Sequence, residues 1–135
     1  MSPEFMPLFQ RLRGILERHA AWLAVGQDKA DYYGLEAPVG PATLRAWGGK
    51  MKSSTIPVAW VTCGKGYVSC HLMGVYAQPK LLENCSKELR ARMQGKSCFN
   101  FKMVDEELFA ELERLTSECL MGMKTAGYIG EQKAG

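Results

Sequence analysis

The sequence predicts an α+β fold, an antiparallel sheet with an N-terminal and a C-terminal helix packed on one of its faces. Three observations predict it. Apolar residues recur at helical spacing near both ends of the chain, a stretch rich in β-branched and aromatic residues is folded by a Gly-rich turn, and helix, strands, short helices, strand and long helix follow in that order. With 135 residues, 47% hydrophobic and 23% charged, the chain is sized for one domain that buries its own core. Residues 1–5 read as a cloning remnant because Met6 follows them at once, residues 6–130 as a single α+β domain, and residues 131–135 as a flexible tail.

Leu8, Leu12, Ile15, His19 and Leu23 mark a helix over residues 7–24, opened by Pro7 and ended by Gly26. Residues 30–55 are punctuated by glycines and prolines, which predicts short strands at 32–36 and 44–47 and no helix of any length. Residues 56–63 and 67–73 flank Gly64-Lys65-Gly66 and read as a hairpin. A two-residue turn sets Ala59, Val61 and Cys63 opposite Leu72, Cys70 and Val68 on one apolar face. It leaves Val58, Trp60 and Thr62 with Met73, His71 and Ser69 on the other, whereas a one-residue slip mixes the two sets. Pro79 opens a short helix, Ser86 caps another that runs to Met93 and closes at Gly95, and residues 97–101 read as a strand. Asp105 caps the last helix, with Glu106 and Glu107 in its first turn. Its stripe is Leu108, Leu112, Leu115, Cys119 and Met123, and beyond Gly127 the residues Tyr128 and Ile129 pack back.

Composition narrows the function classes. No window approaches the 18 to 20 apolar residues of a membrane span, and the N-terminus lacks the basic, apolar and small-residue regions of a secretory signal, so no membrane partner is expected. The five cysteines are odd in number and lack Cys-x-x-Cys spacing, which points to reduced thiols in the cytoplasm. A net charge of +3 conceals a strong asymmetry: residues 37–102 sum to +8, with no acid between 37 and 82, while the two ends are acidic. A field of that sign favours an anionic ligand or partner. Nucleic acid is not expected, because a pI near 8.6 without an aromatic and basic repeat is thin support.

Gly95-Lys96-Ser97 has the ending of a phosphate-binding loop, but Arg90 stands where that loop needs glycine, and the segment joins a helix to a strand. Cys70 and His71 are neighbours on a strand and therefore point to opposite faces. Cys63 and Cys70 read as buried apolar side chains. No paired carboxylates, nucleophile elbow or His-Glu-x-x-His motif is present, so no catalytic residue, metal ligand or cofactor is assigned. The register instead places Trp60 against His71, near Met73 and Tyr67, as an aromatic wall beside one titratable group.

Tyr67-Val68-Ser69-Cys70-His71-Leu72-Met73, residues 84–92, and Met93-Gln94-Gly95-Lys96-Ser97-Cys98-Phe99-Asn100-Phe101 together resemble the YdhG-like family of bacterial domains of unknown function. Trp47-Gly48-Gly49-Lys50 and Ala126-Gly127-Tyr128-Ile129 extend the resemblance over roughly residues 30–130. It implies an α+β fold with an antiparallel sheet, a cytoplasmic location and no catalytic residues. Some of those domains are described as frataxin-like iron chaperones, with acids along the first helix and the sheet edge. Here the first helix is basic and hard oxygen ligands are missing from residues 37–82.

The expected function is a non-enzymatic module binding a small anionic ligand through Lys50, Lys52, Lys96, Trp60, His71 and Tyr67. A frataxin-like iron-handling protein and a small enzyme are the alternatives, and a homodimer is left open. The competing surface reading pairs the basic middle of the chain with Glu106, Glu111 or Glu113 of the last helix.

Overall fold

The first helix, α1 (Met6–Glu17), starts at Pro7 and buries Leu8, Phe9, Leu12, Ile15 and Leu16. Phe5, just upstream, is buried with them. In this computed structural model, which describes residues 5–46, 48–49 and 54–130, the helix stops seven residues short of the expected 24. The amides of His19 and Ala20 reach back only three residues, to Leu16 and Glu17, and this tightening turns the chain so that Leu23 enters the core from a strand lead-in. Gly26, expected as a helix end, lies instead in β1 (Ala24–Lys29), at a shift of its register with β2 (Tyr32–Pro38). Every residue of β1 is exposed, so backbone pairing holds this edge strand, helped by Arg13 of α1, which grips the Asp28 carboxylate with both terminal nitrogens at 2.7 and 3.0 Å.

The strand expected at 32–36 is present in β2. The one expected at 44–47 is not: residues 41–46 form a short helix, α2 (Pro41–Ala46), opened by the proline that suits a first turn. Trp47 lies outside the described residues. The hairpin has the expected register, with β3 (Thr55–Cys63) and β4 (Val68–Leu72) pairing Ala59 with Leu72, Trp60 with His71 and Val61 with Cys70. The Gly64 amide donates to the Tyr67 carbonyl at 2.8 Å, closing a two-residue turn. Val58 departs from the expected face. A bulge between Leu35 and Glu36 leaves it unpaired opposite β2, and it is buried beside Ala59.

After β4 come α3 (Met73–Ala77), a 3₁₀ turn over Pro79–Asn84, and α4 (Lys87–Arg90). The expected helix from Ser86 to Met93 is cut short because Met93–Gln94 forms β5, which pairs with β6 (Cys98–Phe101). Gly95, with φ of 78°, makes the turn between them rather than a helix end. The last helix, α5 (Glu106–Thr125), is capped by Asp105, whose carboxylate accepts from the Leu108 amide.

The six strands form one antiparallel sheet in the order β1-β2-β3-β4-β6-β5. One face supplies Tyr33, Leu35, Val61, Cys70, Leu72 and Phe99 to a core completed by the apolar stripes of α1 and α5. Burial of each such side chain contributes about 1.5–3 kcal/mol. Arg11 binds Glu106 through two nitrogens and so joins the middle of α1 to the start of α5. Among the described residues no helix is long and apolar enough to cross a membrane.

Candidate functional site

With the helices on one side, alternation along the strands builds two polar rows across the opposite, open face. The register gives the first as Gln27, Gly34, Trp60, His71, Cys98 and Gln94, one residue from each of the six strands. The second is Lys29, Tyr32, Thr62, Ser69 and Asn100. Trp60 and His71, predicted to face each other, stack with ring centroids 4.8 Å apart and planes inclined by 12°.

His71 has a second neighbour that local sequence did not reveal. Its Nε2 lies 3.6 Å from the Cys98 Sγ across the β4/β6 pair. The Cys98 thiol donates to the Asn100 Oδ1 at 3.1 Å, the Ser69 hydroxyl donates to the same oxygen at 2.6 Å, and the Asn100 amide nitrogen donates to Gln94 Oε1 at 2.7 Å. Burial holds His71 below its ordinary value near 6.5 and pushes the Cys98 thiol up, against a smaller downward effect of Ser69. Both shifts favour the uncharged forms of the thiol and the imidazole in the resting fold. Cys70 is on the core face, its thiol pushed far up by burial, and burial raises Cys119 to about 12. All five cysteines are free, and among the described residues no three His, Cys, Asp or Glu side chains converge as a metal site.

At the β5 end of the face, Tyr67, Gln94 and Asn100 border a cavity of about 310 Å³ into which Arg92 and Lys102 project. Among the described residues neither cation has a carboxylate partner within ion-pair distance. The three acids of α5 expected to pair with the basic middle of the chain are engaged elsewhere: Glu106 with Arg11, Glu113 with Arg18 at 3.2 Å, and Glu111 with the amide and hydroxyl of Ser86. Arg92 and Lys102 also border a larger groove, about 540 Å³, that Glu88 and Asp105 line with them.

The expected site residues are dispersed. Tyr67 lies in the cationic cavity and Lys96 reaches over the Tyr76 ring, 6.0 Å from its centroid, while Lys50 and Lys52 lie outside the described residues. Trp60 borders a different cavity that carries Glu36, an acid one position before the acid-free stretch. Arg92 and Lys102 were legible only as part of the charge block, because their convergence depends on β5, a strand of two residues. Comparison with family models, with curated proteins and with solved structures gave no match.

Proposed function

We propose that this protein is a non-enzymatic binding module that holds a small anionic ligand, phosphorylated or carboxylated, at the β5/β6 end of its open sheet face. The observation that carries this reading is the convergence of two cations with no ion-pair partner among the described residues, Arg92 and Lys102, on one cavity with the polar ends of Tyr67 and Gln94. Two like charges in one cleft repel, and an anion between them relieves that repulsion. The planar guanidinium fork of Arg92 suits phosphate or carboxylate oxygens, with Lys102 as a point charge. The excess of +8 over residues 37–102 supplies a long-range attraction of the same sign. The free thiols support a reducing, cytoplasmic setting.

Thermal shift with inorganic phosphate, pyrophosphate and citrate, each matched in ionic strength by sodium chloride, tests the reading. At least one anion is expected to give a saturable rise in melting temperature that is lost in Arg92→Ala and Lys102→Ala. Equal shifts in the parent and both variants, or none beyond sodium chloride, would remove the anion site.

A further inference from the structure

The opposite end of the same face carries a second cavity, and we propose that it binds a quaternary, trimethylated ammonium group. On β2 the residues Tyr32, Gly34 and Glu36 share the open face, and Gly34 pairs with Trp60 of β3. His71 covers the flank of Trp60 toward β4. On the flank toward β2 the paired residue is Gly34, which brings no side chain of its own against Trp60. A Cβ on Gly34 would meet the Tyr32 ring at 3.0 Å and the Trp60 Cβ at 3.5 Å, so the two aromatic side chains approach each other across a glycine. Together with Pro57 and Glu36 they bound a cavity of about 230 Å³.

The charge of this cavity is opposite to that of the anion site. Glu36 is its ionisable acid, one oxygen accepting from the Thr55 hydroxyl at 2.9 Å, and no Lys or Arg among the described residues pairs with it. A carboxylate beside two aromatic rings repels anions and attracts a cation through both Coulomb and ring-quadrupole terms. The acceptor inventory decides the kind of cation. A primary ammonium brings three N–H donors and a strongly held hydration shell to give up, and the Glu36 carboxylate that would receive it already accepts from Thr55 through one oxygen. A quaternary, trimethylated ammonium has no N–H donor and is held by ring faces and charge alone. The cavity shares no bordering residue with the one that holds Arg92 and Lys102, so the two sites stand or fall separately.

Choline and its uncharged isostere 3,3-dimethylbutan-1-ol distinguish this site from a merely apolar cleft. Calorimetry and amide NMR should show saturable choline binding, with shifts at Gly34 and the Trp60 indole, and at least about tenfold weaker binding of the isostere. Glu36→Gln keeps the acceptor for Thr55 while removing the charge, and should weaken choline by a similar factor. Gly34→Ala should weaken it by narrowing the cage without removing any group, and Arg92→Ala should leave it unchanged. Equal affinity for choline and the isostere, an unchanged affinity in folded Glu36→Gln, or no saturable choline binding by the folded parent would each overturn the proposal.

Discussion

His71 joins stability to pH through its burial. The ring is half-buried between Trp60 and Cys98, and desolvation disfavours its charged form; His19, hydrogen-bonded to the Trp22 indole at 3.1 Å, is depressed by burial and by Arg18. Both groups take up a proton at higher pH in the unfolded chain, near 6.5, than in the fold. Stability is therefore complete above that value and falls as the pH drops through it, because the unfolded state then binds more protons. The melting temperature should decline between pH 7.5 and 5.5. His71→Gln should flatten part of the decline and the double variant with His19→Gln most of it. A profile equally steep in the double variant would show that neither imidazole is held neutral.

α4 is four residues long, too short to persist without tertiary support. Ser86 caps it by accepting from the Leu89 amide at 3.1 Å, while Glu111 of α5 accepts from the Ser86 amide and hydroxyl at 2.7 and 2.6 Å. The Ser86 hydroxyl and amide hold the Glu111 carboxyl below its usual range, so this contribution is present above about pH 4.5 and is lost as the pH falls below it. Glu111→Ala should cost about 1–3 kcal/mol in urea unfolding near neutrality, shrinking in acid. A deficit that stays constant down to pH 3 would assign the loss to packing instead of the charged acceptor. Elements with a local signature, such as the Asp105 cap with its leucine stripe and the alternating hairpin at 55–72, were legible in the sequence. β1 was not, because all its side chains are exposed, and neither was α2, whose Gly and Pro surroundings suit a strand end as well as a single helical turn. The Trp60 and His71 stack followed from the hairpin register. Cys98 and Asn100 beside it did not, since they arrive through the pairing of β4 with β6, which no local pattern specifies.

At the scale of the whole molecule, the end of the chain fastens the last helix to the sheet at the β2 end. Gly127 turns with φ of 86°, and Ile129 then forms a bridge with Val39. Around it the Gly40 amide donates to the Tyr128 carbonyl at 3.0 Å, the Ala42 amide to the Gly127 carbonyl at 2.9 Å, and the Gly130 amide to the Pro38 carbonyl at 2.8 Å. The Thr43 hydroxyl adds a bond to the Tyr128 carbonyl at 2.7 Å. Such an approach of two backbones leaves no room for a side chain, and a Cβ on Gly40 would collide with the Gly127 carbonyl oxygen. A Cβ is fixed by its own backbone and the atom it strikes is main chain, so no rotamer relieves the collision and the strap must shift. Gly40→Ala should therefore cost about 1–3 kcal/mol. Hydrogen exchange should locate the loss, with the Gly40, Ala42 and Gly130 amides losing protection before the hairpin amides of Val61 and Cys70. Rapid exchange of those three amides in the parent would show that the strap is open already. Pro38 and Val39 come two and three residues after Glu36 on the chain, whereas Arg92 and Lys102 lie at the far edge of the sheet. Loosening the strap should consequently weaken choline binding more than phosphate binding, and an equal loss of both would mean that the two ends of the open face open together.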